Sequence, residues 1–159
     1  MAKVILICGK ICSGKTTYAE RLRLENKAVV LSVDEIMIGL FGLYAGDKHD
    51  EYVERTKKYL LDKSVEIIEA GMDVILDWGF WTKEERISVK EFYVVHKIEH
   101  EFHYIDISDE IWKVRLDKRN AAVSAGAANA YFVDDNLAAK FESRFEMPDQ
   151  DEINVWVKN

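Results

Sequence analysis

One segment constrains the fold and chemistry of this chain more than any other feature. It reads Gly9-Lys10-Ile11-Cys12-Ser13-Gly14-Lys15-Thr16 and matches the pattern G-x-x-x-x-G-K-[ST] at every fixed position. The glycines let such a loop fold tightly and bring backbone N–H groups toward a phosphate. The hydroxyl of Thr16 is an oxygen ligand of the kind that Mg²⁺ prefers. The segment therefore predicts a phosphate-binding loop, continuing into Thr17, that takes a nucleotide with Mg²⁺.

The flanking sequence supplies the context that this loop requires. Residues 3–8 form a continuous apolar, β-branched run, which is typical of a strand buried on both faces. A helix is expected over 15–26, so that the loop opens the N-terminus of a helix, where unpaired N–H groups and the helix dipole favour an anion. Lys15 is expected to place its charge on the β- and γ-phosphate oxygens.

Strand-like and helix-like segments alternate along the rest of the chain. Further strands are expected at 28–32, 72–77, 102–107 and 153–157. Helices are expected from Asp34 to about 39–42, over 49–70, from the N-cap Thr82 to about 96, from 108 or 109 to about 120, and over 133–145. This alternation predicts an α/β fold with a five-stranded parallel sheet, helices on both faces, and one domain spanning residues 1–159.

Composition excludes several classes of function. The formal net charge is −7, which disfavours nucleic-acid binding because that binding depends on neutralising phosphates. No apolar run approaches the roughly 18 residues of a membrane helix, and the cytoplasm is the expected compartment. Only two cysteines are present, so a disulfide framework is not expected. Three histidines, His96, His100 and His103, are expected on different elements and do not predict a zinc site.

The phosphate loop alone does not separate kinases, GTPases and motor-type ATPases. The sequence has no N-K-x-D tetrapeptide, so the guanine-reading element of a GTPase is missing. The third predicted strand ends in Asp77-Trp78-Gly79, without the Asp-Glu pair that is usual in ring-forming ATPases. A small kinase remains as the main interpretation.

Five segments of the chain resemble a family of bacterial AAA-labelled ATP-binding proteins, which is grouped with chloramphenicol phosphotransferase, zeta-toxin kinases and polynucleotide 5′-kinases. The segments are Cys8 to Thr17, Leu31 to Glu35, Val74 to Trp81, Arg115 to Asn120, and Phe145 to Glu152. The resemblance implies a three-layer, adenylate-kinase-like P-loop fold with strand order 2-3-1-4-5. It also implies transfer of the γ-phosphoryl group of ATP to a hydroxyl. Members act on different acceptors, so the acceptor does not carry over.

Four charged residues outside the loop are candidates for the chemistry. Asp34 follows a buried strand at the sheet edge where ligands bind, and the matching residue in the resembling kinases activates the acceptor; it could instead cap a helix. Asp77 is expected to hold a Mg²⁺-bound water, or to be a turn residue. Arg115 and Arg119 share one helix face and match lid arginines that contact the transferring phosphoryl group and the nucleotide; a solvated helix face is the alternative.

The acceptor side of the site is predicted from the residues that follow the third strand. Trp78, Phe80 and Trp81 are expected to line it, although core packing is an equal alternative for each of them. Arg86 is a candidate for holding an anionic acceptor, with a surface ion pair to Glu84 or Glu85 as the alternative.

A lid is predicted over about residues 115–132. Its tip at 121–131 is rich in alanine and carries no charge, and is expected to be mobile until nucleotide closes it. The alternatives for this alanine-rich stretch are an ordinary surface loop and an extension of the preceding helix.

The sequence thus predicts an ATP- and Mg²⁺-dependent phosphotransferase acting on a small-molecule hydroxyl. Three alternatives stay open: a nucleic-acid 5′-kinase, a toxin-type kinase acting on a nucleotide sugar, and a non-catalytic sensor that binds ATP and signals to a partner. The sequence says nothing firm about oligomeric state.

Overall fold

A computed structural model describes all residues from Met1 to Asn159. In chain order the elements are β1 (Val4–Cys8), α1 (Lys15–Asn26), β2 (Val29–Ser32), α2 (Val33–Phe41), α3 (His49–Glu69), β3 (Val74–Gly79), α4 (Lys83–Val95), β4 (His100–Asp106), α5 (Asp109–Ser124), α6 (Asp135–Arg144) and β5 (Val155–Lys158). Two 3-10 helices lie at Gly46–Lys48 and Gln150–Glu152.

The five strands form one parallel sheet in the order β2-β3-β1-β4-β5. This confirms the predicted fold class and strand order. β1 lies at the centre and every one of its residues is buried, as its unbroken apolar sequence predicts. Because all strands run the same way, the segments that follow β1, β2 and β3 meet at one edge of the sheet.

Apolar side chains fill both faces of the sheet. The larger core cluster includes Leu6, Leu76, Phe80, Tyr93 and Phe102. The opposite face is covered by α1, whose Ala19 and Leu22 pack with Ile5, Ile7 and Ile75. A separate cluster joins α5 and α6 through Trp112, Leu116, Val133 and Ala138. None of the helices combines the length and the apolar character needed to cross a bilayer.

The structure shifts several predicted boundaries. β3 begins later than expected and runs to Gly79, because Gly79 pairs with Cys8 of β1. Helix α5 continues to Ser124, so the first part of the alanine-rich stretch is a helical extension rather than a loop. The predicted lid therefore consists of the second half of α5 and the segment leading to α6, and its closure on nucleotide stays a prediction.

Candidate active site

The loop between β1 and α1 has free hydrogen-bond donors on its inner side. Among the main-chain N–H groups of residues 10–17, only that of Ser13 donates to a backbone acceptor, the carbonyl of Lys10 at 3.2 Å. The unpaired donors belong to Lys10, Ile11, Cys12, Gly14, Lys15, Thr16 and Thr17. Buried or half-buried amides without partners are costly unless an anion accepts from them. The geometry thus fits the phosphates of a nucleotide.

Gly14 is the position in this loop where glycine is required. Its φ is +100°, a conformation that side-chain-bearing residues rarely adopt. A Cβ atom there would collide with the side-chain amide of Asn159 and lie 3.2 Å from Nη1 of Arg115. The loop is therefore closely covered from outside by two long-range neighbours.

Lys15 is half-buried and held inside the loop. Its Nζ donates to the carbonyl of Lys10 at 2.7 Å, and makes no ion pair with a carboxylate. Burial lowers the pKa of Lys15, while the negative charges of Asp77 and Asp34 oppose that shift. The ammonium group thus has one neutral partner, which it can exchange for the charged oxygens of a phosphate when a nucleotide binds.

Thr16 and Asp77 bring two oxygen ligands together at the loop. The Thr16 hydroxyl donates to Oδ2 of Asp77 at 2.9 Å, across the gap between α1 and the end of β3. Asp77 is only 6% exposed, and burial raises its pKa, against the charge of Lys15 and the bond from Thr16. A hydroxyl and a carboxylate at this spacing suit Mg²⁺, with Thr16 as a direct ligand and Asp77 acting through a water.

Two arginines of α5 lie against the outer side of the loop rather than on a solvated helix face. Nη1 of Arg115 donates to the Ser13 carbonyl at 3.0 Å. Nη1 of Arg119 contacts Sγ of Cys12 at 3.4 Å, and its buried Nε has no partner. Neither guanidinium has a carboxylate within ion-pair distance, so both retain donors for an anion in the cleft.

Sequence reasoning missed two further contacts with this loop. Nε1 of Trp112 donates to the Ile11 carbonyl at 2.7 Å, and Nδ2 of Asn159 donates to the Ser13 carbonyl at 2.8 Å. Trp112 lies three and seven residues before Arg115 and Arg119, so the helical spacing could have identified it. Asn159 follows β5, and no local pattern points to its role.

Asp34 lies in the first turn of α2 with its side chain exposed and unbonded. The N-cap of α2 is Ser32, whose hydroxyl accepts from the Glu35 N–H at 3.3 Å. The alternative interpretation of Asp34 as the cap is therefore wrong. Its carboxylate lines the same cleft as Lys15, Thr16 and Asp77.

The cleft is open and has a volume of about 2010 Å³. Single small-molecule sites usually occupy roughly 300–1,000 Å³, so this one has room for two ligands. The phosphate loop, Arg115 and Arg119 line it, together with residues of α3, α4, α6 and the turn after β3. Asp34 lines the cleft from α2.

The predicted acceptor wall is only partly present. Trp78 and Trp81 line the cleft. Phe80 does not, because its φ of +46° turns it into the core, where it is fully buried against Phe102.

Arg86 is also placed away from the cleft, and it is neither an acceptor ligand nor part of a surface pair with Glu84 or Glu85. It is 2% exposed and forms an ion pair with Glu152 at 3.1 Å. Its remaining donors contact the carbonyls of Phe80, Trp81 and Glu146. Arg86 therefore fixes the turn that presents Trp81, since it ties that turn to the segment before β5.

Comparison with known proteins places the chain in a family. The model of a family described as AAA domain matches residues 4–148, and the chain belongs to that family. This confirms the family resemblance found in the sequence. Comparison with curated proteins gives no match.

Solved structures share the fold over nearly the whole chain. APS kinase CysC of Mycobacterium tuberculosis, in complex with AMPPNP and APS, is 19% identical with a TM-score of 0.67, covering 99% of this chain and 88% of that one. A sugar kinase from Janibacter sp. HTCC2649 is 18% identical with a TM-score of 0.67. The match covers 99% of this chain and 86% of the sugar kinase. A chain of the Pnkp1/Rnl/Hen1 RNA repair complex is 21% identical with a TM-score of 0.71. The match covers 90% of this chain and 43% of the chain from that complex.

Proposed function

We propose that this protein is an ATP-dependent phosphotransferase that moves the γ-phosphoryl group to a hydroxyl of a small-molecule acceptor. The observation that carries the proposal is the free, exposed carboxylate of Asp34 in the same cleft as the unpaired amides of the phosphate loop. A protein that only bound nucleotide would have no need for an uncommitted carboxylate at that position. Two of the structural neighbours are a sugar kinase and an APS kinase, and this likeness supports the same class of reaction.

The loop and Lys15 hold the β- and γ-phosphates in this proposal. Lys15 exchanges the Lys10 carbonyl for phosphate oxygens, and the loop amides donate to the same group. Thr16 would ligate Mg²⁺ and Asp77 would hold a water of its shell, and the ion would supply neutralisation of charge on the phosphates. The open cleft allows the acceptor to approach the γ-phosphorus from the side of Asp34.

The transfer step is a displacement at phosphorus. The acceptor oxygen forms a bond to the γ-phosphorus, the bond from that phosphorus to the bridging oxygen breaks, and ADP leaves. Asp34 accepts the proton of the acceptor hydroxyl. Arg115 and Arg119 give up their contacts with Ser13 and Cys12 and donate to the oxygens of the transferring group.

The test is Mg²⁺-dependent release of ADP against a panel of antibiotics, nucleosides, sugars and short oligonucleotides. Lys15→Ala is expected to abolish turnover and weaken nucleotide binding strongly. Asp34→Ala is expected to keep nucleotide binding but to lose roughly 10²–10⁴-fold in the rate of transfer, the usual contribution of a general base. Glu35→Ala is the matched control, because Glu35 is the exposed neighbour of Asp34 and does not line the cleft.

Either of two results would contradict the proposal. If Asp34→Ala transfers phosphate at the wild-type rate, Asp34 is not the proton acceptor. If the wild type binds ATP and no acceptor in the panel stimulates ADP release, the nucleotide sensor becomes the better interpretation.

A further inference from the structure

The charged side chains that line the cleft differ in sign between elements, although α3 contributes Lys57 and Lys58 as well as acidic residues. The acidic ones lie mainly on α3 and α4. Helices α5 and α6 contribute only cations to the cleft, namely Arg115, Arg119, Lys140 and Arg144. This wall is positive in a chain whose formal net charge is −7. A concentration of one charge sign in a cleft indicates a ligand of the opposite sign.

Lys140 and Arg144 are not explained by the nucleotide site or by local helix stability. They are four residues apart, share one face of α6, are exposed, and form no ion pair. Two like charges at this spacing destabilise an isolated helix, so the pair does not serve helix stability. Arg144 lies in the last turn and benefits from the helix dipole, but Lys140 precedes that turn.

The end of α6 is anchored to the acceptor side of the cleft. The Glu146 N–H donates to the Trp81 carbonyl at 2.8 Å, and the Glu146 carboxylate accepts from the Lys83 N–H at 2.6 Å. Phe141 packs edge-on against Trp81 with ring centroids 4.8 Å apart. These contacts hold α6 beside the turn after β3, and they therefore fix the position of Lys140 and Arg144 relative to Trp81.

We propose that Lys140 and Arg144 form a subsite for an oxyanion on the acceptor, which makes the acceptor a small compound that carries a phosphate, sulfate or carboxylate besides its reactive hydroxyl. This inference rests on the proposed function for the identity of the ligand. A lysine and an arginine one helical turn apart can hold two oxygens of one anionic group. The only charged residues that α4 contributes to the same cleft are Glu84 and Glu85, which favours a compound with its charge at one end over a polyanion.

Matched pairs of neutral and phosphorylated compounds test the subsite directly. Ribose and ribose 5-phosphate, glucose and glucose 6-phosphate, and adenosine and AMP are titrated by calorimetry into the full chain saturated with Mg²⁺ and a non-hydrolysable ATP analogue. The anionic member of at least one pair is expected to bind at least tenfold more tightly than its neutral partner. Lys140→Ala and Arg144→Ala are each expected to lower the affinity for the anionic compound roughly tenfold, as the loss of a charged hydrogen bond does.

Lys90→Ala is the control, because Lys90 is an exposed lysine of α4 that lies outside the cleft. It is expected to leave every affinity unchanged. The subsite is refuted if neutral and anionic members bind alike, if no member binds, or if the α6 variants keep the wild-type preference. It is also refuted if those variants lower the affinity for the ATP analogue instead, because the two cations would then bind the nucleotide.

The ADP-release assay, run with ATP on the same compounds and variants, separates this inference from the proposed function. If the anionic preference depends on α6 but no compound is phosphorylated, the subsite stands and phosphoryl transfer fails. If a neutral compound is phosphorylated and α6 variants change nothing, transfer stands and the subsite fails.

Discussion

Replacing Arg86 by methionine tests whether one buried ion pair holds the turn after β3 to the segment before β5. The guanidinium is 2% exposed and contacts Glu152 through two hydrogen bonds, at 3.1 and 3.2 Å. Methionine fills a similar volume but leaves the Glu152 carboxylate without its counter-ion. It also leaves the carbonyls of Phe80, Trp81 and Glu146 without a donor.

The expected loss of stability follows from the burial of the pair. Removing one partner of a buried ion pair costs about 3–5 kcal/mol. The Glu152 side chain is 17% exposed, so water relieves part of its lost solvation, and the lower end of the range applies. In a chain of this size about 1 kcal/mol corresponds to roughly 3 °C, so Tm should fall by about 9 °C.

The effect also has a definite dependence on pH. Burial alone would raise the pKa of Glu152, but the hydrogen bonds from Arg86 and from the Asp149 N–H, with the charge of Arg86, lower it below its usual 4.5. A carboxyl whose pKa is lower in the folded state stabilises the protein above its unfolded pKa. That stabilisation is lost as pH falls through the folded pKa. The difference in Tm between wild type and Arg86→Met should therefore shrink on acidification below about pH 4.5.

The measurement is thermal unfolding followed by circular dichroism between pH 7 and pH 3. Asp151→Asn is the matched control, because Asp151 is exposed and forms no ion pair in the same 3-10 helix. The double variant Arg86→Met/Glu152→Met should recover much of the loss, since no buried charge remains. A Tm within about 3 °C of wild type for Arg86→Met at pH 7 would refute this reasoning.

Two further substitutions probe backbone positions with a positive φ, Gly14 in the phosphate loop and Lys27 at the end of α1. Gly14→Ala places a methyl group at φ +100° against Asn159 and Arg115; the affinity for an ATP analogue should fall at least roughly tenfold by calorimetry, and the unfolding free energy by about 1–3 kcal/mol. Wild-type affinity would show that the loop adapts to the added methyl. Lys27→Gly should stabilise the protein by roughly 0.5–1 kcal/mol in urea unfolding, because Lys27 ends α1 at φ +55°, where glycine carries no steric penalty. A urea midpoint below that of the wild type would mean that the Lys27 side chain makes a stabilising contact that outweighs the steric penalty.

The helices and strands could be predicted well from local sequence patterns, because their starts and ends depend on residues that are close in the sequence. The limits of α1 and the N-cap Thr82 of α4 follow from the loop motif and from capping chemistry, and both are confirmed. The phosphate loop could likewise be predicted in full from its own sequence. The structure places Asp34 on the cleft, but the residue that caps α2, Ser32, was not foreseen.

Contacts between distant segments could not be predicted. Arg86 and Glu152 are 66 residues apart, and nothing near Arg86 indicates that it is buried. Phe80 follows β3, between Trp78 in that strand and Trp81 in the next turn, but its positive φ turns it into the core while the two tryptophans line the cleft. The extent of α5 was underestimated because small residues do not show helical periodicity, although alanine favours a helix.

The phosphate loop depends for its shape on segments that are synthesised much later. The Gly9 N–H donates to the Gly79 carbonyl, and the loop carbonyls accept from Trp112 and Arg115, at sequence separations of 101 and 102. Loops that close through such distant contacts form slowly, because chain entropy must be lost before the contacts are gained. On the ribosome, residues 9–17 therefore emerge early but cannot reach this conformation until α5 has been made. Nucleotide binding by a nascent chain would accordingly report that most of the domain has already folded.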